Sequence, residues 1–65
     1  MSNVDLARQF FLQGLAFFQD QDFPEAKSRF QKAADLAPDR VSVLTNLAVT
    51  RIKLQKFDLA MRAAQ

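Results

Sequence analysis

The sequence of 65 residues contains no cysteine and no histidine, and it has only one glycine and two prolines. Without cysteine no disulfide framework can form, and without either residue type no conventional structural zinc site is available. The composition, 49% hydrophobic and 25% charged, indicates a compact, helix-rich chain rather than a disordered one. A domain of about 60 residues builds a marginal core, so we expect help from a neighbouring repeat, a partner chain or a continuation of the polypeptide.

The residue types of common catalytic sites are also scarce. The three serines have no base at a readable spacing, and no glycine-rich loop is present to bind phosphate. Two carboxylate pairs exist, Asp20 with Asp22 and Asp35 with Asp39, but both lie at predicted helix ends, where acidic capping explains them. We therefore predict that this segment is not an enzyme and that it uses no cofactor and no metal.

Charge of one sign does not dominate the sequence, because nine basic and seven acidic residues are spread over every segment. A weak cluster of Arg51, Lys53 and Lys56 suits either an acidic partner or an ordinary exposed face. The Phe-rich first helix lacks a strongly basic polar face, and no aromatics alternate with basic residues, so neither a membrane surface nor nucleic acid is expected as partner. No apolar run is long enough to span a bilayer, and acidic Asp5 is atypical of a secretory signal, so we expect a cytoplasmic protein.

Two helices are predicted in the first part of the chain. Apolar residues recur at helical spacing over residues 4–18, and Gly14 would let the backbone of a second helix approach closely. The second helix is expected to have Asp22 as its cap, Pro24 in its first turn and Pro38 as its stop. The aromatic residues of this pair are predicted to be core, namely Phe10, Phe17, Phe23 and Phe30.

An internal repeat extends this pattern to the rest of the chain. A shift of 34 residues pairs Phe10 with Leu44, Gly14 with Ala48, Gln21 with Gln55, Phe23 with Phe57, Ala26 with Ala60, and Gln31 with Gln65, while Phe30 meets Ala64. The third helix is expected to be capped by Asp39 and the fourth to run from Phe57 to the end. The predicted buried face of the third helix consists of Val41, Leu44, Leu47, Ala48 and Ile52. The predicted fold is all-α, a single domain over residues 1–65 with about four antiparallel helices. Repeat 1 is predicted to cover about 7–40 and partial repeat 2 about 41–65.

The spacing of small, aromatic and proline residues in the first unit resembles the tetratricopeptide repeat (TPR) motif, as carried by Gly14, Phe17, Phe23, Ala26, Phe30, Ala33 and Pro38. The resemblance covers essentially the whole chain. The first unit departs from the motif at Gln13, where the family usually has leucine, and at Gln21, where glycine is common. The second unit has Leu47 and Ala48 for the leucine and glycine, but Arg51 replaces an aromatic and the final nine residues are missing.

The resemblance implies a protein-binding scaffold, because stacked repeats of this family form a concave face that grips a peptide or partner protein. The positions of that inner face would be Arg8, Phe11, Leu12, Leu15 and Phe18 in the first unit and Ser42, Thr45, Asn46, Val49 and Lys53 in the second. Family members that clamp a terminal carboxylate have lysine and asparagine at the places of Phe11 and Leu15, so chaperone-tail binding is not expected here. Asn46 stands where many members bond a peptide backbone, although an exposed helical asparagine would look the same.

Several alternatives remain open at the level of sequence. The apolar inner residues could form a groove for a partner or be covered by another helix. The chain could be the amino-terminal part of a longer repeat protein, or a unit that forms homo-oligomers through its open last helix. As TPR arrays often precede enzymes, a catalytic domain such as a glycosyltransferase could also follow.

Overall fold

The computed structural model describes residues 2–63, and this part of the chain is entirely helical apart from its caps and turns. It consists of α1 (Asn3–Gln19), α2 (Phe23–Leu36) and α3 (Val41–Ala63). Helix α2 lies between the other two and packs against both. The predicted all-α class is therefore confirmed for residues 2–63.

Helix α1 is closed at both ends by local hydrogen bonds. At its start, the Asp5 amide donates to Ser2 Oγ (3.2 Å) and the Ser2 amide donates to the Asp5 carboxylate (3.5 Å), a capping box that the sequence analysis missed. At its end, Gln21 has a φ of 62°, in the left-handed region. The Asp22 and Gln21 amides donate to the Phe17 and Phe18 carbonyls at 2.8 and 3.0 Å, which is the hydrogen-bond pattern of a Schellman motif.

Helix α2 starts and stops where its proline residues predicted. Pro24 lies in the first turn, where its missing amide hydrogen costs nothing, and the helix ends at Leu36, two residues before Pro38. The predicted side-chain cap is wrong, since the Asp22 carboxylate makes no capping hydrogen bond. Its backbone carbonyl instead accepts from the Ala26 amide at 2.9 Å.

The core forms where α2 meets its two neighbours. Its buried residues are Ala26, Phe30, Ala33, Ala34, Val43 and Leu47. Gly14 does provide the predicted close approach, but it receives a side chain: a Cβ on Gly14 would lie 2.6 Å from the Phe30 ring. Of the four aromatic residues predicted to be core, only Phe30 is buried, and the other three are half-buried: Phe10, Phe17 and Phe23.

The second unit differs from the prediction, because α3 is one helix of 23 residues where two helices were expected. The prediction of about four helices is therefore wrong for the described residues. The start signals of the first unit have no counterpart here: Lys56 and Asp58 stand at the places of Asp22 and Pro24, so nothing interrupts the helical hydrogen bonds near Phe57. The predicted continuation through Ala64 to Gln65 lies outside the described residues.

The start of α3 also requires a correction. The Arg40 carbonyl accepts from the Leu44 amide at 3.2 Å, which places Arg40, and not Asp39, at the capping position. The Arg40 amide in turn donates to the Ala37 carbonyl at 3.2 Å across the short connection.

Helix α3 is longer than its neighbour, and its far end has no helix beside it. Its 23 residues exceed the 14 of α2, so the two can pair only over the first part of α3. The face that packs on α2 is formed by Val43, Leu47 and Thr50, all buried. The same row of the helix continues through Phe57, which is 56% exposed. The described chain is consequently elongated, with extents of 46 × 19 × 13 Å.

Candidate interaction surfaces

The first candidate surface is a shallow cavity of about 140 Å³ at the junction of α1 with the start of α3. Its lining combines apolar residues with two arginines and a serine: Val4, Ala7, Arg8, Phe11, Arg40, Ser42 and Val43. Arg8 comes from α1, whereas Arg40 caps α3, so the tertiary structure brings these two residues to one cavity. Three of the lining residues, Arg8, Phe11 and Ser42, belong to the inner face predicted from the sequence.

The cavity has a positive character. Among residues 2–63 the one ion pair joins Arg29 to Glu25 at 3.7 Å, and neither of these residues lines the cavity. The nearest acidic group along α1, Asp5, is engaged with Ser2 in the capping box. Arg8 and Arg40 are both exposed and neither is in that ion pair, so both can donate to an anionic ligand such as a carboxylate.

The remaining inner residues of α1 are divided between core and surface. Leu12 is 56% exposed. Phe11, Leu15 and Phe18 are half-buried and pack against the core cluster. The Phe11 ring lies 5.6 Å from that of Phe30. These three residues are thus partly covered by α2 of the same chain, so they do not form an open apolar groove.

The inner residues of α3 are mostly open to solvent. Ser42, Thr45, Val49 and Lys53 are exposed, and Asn46 is half-buried. The Asn46 amide donates to the Ser42 carbonyl one turn earlier, at 2.8 Å. This bond occupies a donor of the side chain and leaves its carbonyl oxygen as the group that can accept from a partner.

Basic residues of α2 cover the aromatic rings of α1. Arg29 donates to the Gln13 side chain at 3.0 Å and lies 5.6 Å from the centre of the Phe17 ring. Lys32 lies 5.5 Å from the centre of the Phe10 ring. Cation–π contacts of this kind stabilise the helix pair by about 0.5–1 kcal/mol each at exposed sites. These side chains therefore hold α1 to α2 and contribute little to partner binding.

The second candidate surface was missed by the sequence analysis. Of the five residues predicted to form the buried face of the third helix, only Leu47 is buried, while Val43 and Thr50 replace the others. The remaining four and Leu59 form an exposed apolar row, here called the outer stripe: Val41, Leu44, Ala48, Ile52 and Leu59. Both rows have helical periodicity, so periodicity alone could not decide which of them packs on α2.

No group of three or more acidic or histidine side chains that could hold a metal ion occurs in residues 2–63. None of the three helices combines the length and hydropathy needed to cross a lipid bilayer.

No family model, curated protein or solved structure matches this chain.

Proposed function

We propose that the chain is a TPR-type scaffold that mediates protein association, and that it binds a partner peptide or protein through the inner face of α1 and α3. The residue spacing of the first unit supports this assignment, together with the packing of Phe30 on Gly14 between two antiparallel helices. In such a scaffold the first helix of each pair lines the concave face, and under this proposal α1 and the first part of α3 are those helices.

The observation that carries the proposal is the cavity whose lining combines Arg8 and Arg40 with apolar residues. Two guanidinium groups on separate elements can each donate several hydrogen bonds to one carboxylate, which fixes both the position and the direction of a bound peptide. The apolar lining residues, which include Phe11 and Val43, can contact one adjacent apolar side chain of the peptide. An acidic peptide with a neighbouring apolar residue fits this combination best.

A binding experiment tests the proposal. Fluorescein-labelled peptides with alternating glutamate and leucine, and matched peptides with lysine in place of glutamate, are titrated with the protein. The glutamate peptides should bind at least tenfold more tightly, and Arg8→Ala should remove most of that advantage because it deletes one of the two donors. Lys27→Ala, on the exposed side of α2, is the control and should leave the affinity unchanged. Equal affinity for both peptides would argue against the proposal.

The exposed row of α3 supports a larger assembly around this scaffold. A helix that is apolar on two opposite faces is typical of one covered on both sides, and α2 covers only one face of α3. A further repeat or a partner protein would supply the missing cover. Self-association is the alternative proposal, and molar mass measured by light scattering distinguishes the two, since a stable monomer contradicts self-association.

A further inference from the structure

The outer stripe of α3 is an extended apolar surface on the opposite side of the helix from α2. Four of its side chains are large and substantially exposed: Val41 (74%), Leu44 (44%), Ile52 (52%) and Leu59 (56%). At a rise of 1.5 Å per residue the stripe is about 27 Å long, which matches a partner helix of about five turns. Its small residue, Ala48, lies between Leu44 and Ile52.

The internal repeat shows what shape of partner this stripe fits. The shift of 34 residues places Val41, Leu44, Ala48 and Ile52 on Ala7, Phe10, Gly14 and Phe18. Three of those α1 residues face α2: a Cβ on Gly14 would meet the Phe30 ring, Lys32 lies 5.5 Å from the centre of the Phe10 ring, and the Phe18 ring lies 5.3 Å from the Phe23 ring. The fourth, Ala7, is buried. The outer stripe thus repeats the side-chain pattern of a surface that already receives an antiparallel helix in this chain.

The charges beside the stripe indicate the chemistry of that helix. Residues 41–63 contain four basic residues, Arg51, Lys53, Lys56 and Arg62, and one acidic residue, Asp58, which gives a net charge of 4 − 1 = +3. At 3.6 residues per turn, Lys56 borders one side of the stripe and Arg62 borders the other, where Asp58 also lies. Arg51 is on the same side as Arg62, but its guanidinium donates to the Gln31 side chain of α2 at 3.1 Å. Lys56 and Arg62 are therefore the basic residues that flank the apolar row.

We propose that the outer stripe binds an amphipathic helix of a partner protein, antiparallel to α3, whose apolar face is bordered by glutamate or aspartate. Ala48 takes the place that Gly14 has in α1, so the partner helix sets its largest apolar side chain over Ala48. A second copy of α3 fits less well, because pairing two outer stripes would bring Lys56 and Arg62 of both chains to one interface. This surface is distinct from the cavity at Arg8 and Arg40.

Two designed helical peptides of about 18 residues, a length that spans the stripe at 1.5 Å per residue, test the proposal. They share a leucine and phenylalanine face and differ only in glutamate or lysine at the flanking positions. Fluorescence anisotropy with the complete chain should give a Kd at least tenfold lower for the glutamate peptide. The difference should shrink in high salt, because exposed charges are screened. Equal Kd values for the two peptides would overturn the proposal.

Matched variants locate the binding surface. Ile52→Gln should raise the Kd of the glutamate peptide at least tenfold, whereas Phe57→Gln, with a similar exposure of 56% against 52% but on another face of α3, should leave it within twofold. Lys56→Glu should weaken the glutamate peptide and strengthen the lysine peptide. Circular dichroism of each variant reports on folding. Equal losses of peptide affinity in Ile52→Gln and Phe57→Gln would overturn the assignment to this surface. So would a loss of peptide affinity in Arg8→Ala alone. A dimer of the chain that dissociates on Ile52→Gln would also overturn it.

Discussion

Replacement of Gly14 by alanine tests the packing on which the first helix pair depends. A Cβ at this position would lie 2.6 Å from two atoms of the Phe30 ring and 3.1 Å from a third, well inside van der Waals contact. Phe30 is 0% exposed and lies among Ala26 and Ala33, which are also fully buried, so the ring has no space into which it can rotate. The helices must therefore separate to admit the methyl group.

Two effects of opposite sign determine the size of the change. Alanine in place of glycine stabilises a helix interior by about 1 kcal/mol. Overpacking a filled core costs about 1–3 kcal/mol, and the two overlaps at 2.6 Å place this site at the upper end of that range. We expect a net destabilisation of about 2 kcal/mol, which lowers the Tm of a domain of this size by about 8–16 °C.

Thermal unfolding followed by circular dichroism measures this effect. The double variant Gly14→Ala with Phe30→Leu provides the internal test, because the smaller leucine side chain removes the overlap. The destabilisation of the double variant should therefore be smaller than the sum of the destabilisations of the two single variants. Ala48→Gly in α3 is the control, since Ala48 is exposed and its change should cost only the helix propensity, about 1 kcal/mol. A Gly14→Ala variant with a higher Tm than the parent chain would refute the reasoning.

Four further substitutions concern the helix boundaries and the core. Gln21→Gly should raise the free energy of unfolding by about 1 kcal/mol, because Gln21 has a left-handed φ that glycine adopts without strain. Gln55→Gly, at the equivalent place inside the continuous α3, should instead reduce helicity and cost about 1 kcal/mol; a stabilising effect would indicate a turn there. Ser2→Ala should lower stability in urea unfolding by about 1 kcal/mol through loss of the capping box with Asp5, and an unchanged midpoint would contradict that role. Ala26→Leu should cost about 1–3 kcal/mol, because Ala26 is fully buried; an unchanged Tm would show that its surroundings can expand.

The sequence was sufficient for the elements whose signals are local. The place of Pro24 in the first turn of α2 and the stop before Pro38 follow from backbone chemistry within a few residues. Apolar spacing over residues 4–18 indicated α1, although the hydrogen bonds that close its two ends were not predicted. The need for a small residue at position 14 was also visible, since a glycine inside a helix requires a packing reason. The Phe30 ring, and not a helix backbone, fills the space beside Gly14. The sequence did not predict this, because it depends on the volumes of the side chains between the two helices.

The repeat was a less reliable guide to the second unit. It related positions of α3 to positions of α1, and it transferred a turn to Gln55 although the capping and proline signals of that turn are absent. Helix boundaries depend on those few residues, because continuation of the helix satisfies each amide and carbonyl unless a residue prevents it. Similarity of apolar spacing over a repeat therefore fixed neither the face of α3 that packs on α2 nor the place where the helix ends.

By itself, the sequence determined that the chain is helical, that its first two helices pair, and which side chains could face a neighbour. Only the tertiary structure decided which apolar row of α3 packs on α2, leaving Val41 and Ile52 exposed, and that Arg8 and Arg40 meet at one cavity. The physical reason is that helix formation depends on neighbours along the chain. The choice between two apolar faces, and the meeting of distant charged residues, depend instead on how three helices fill the space between them.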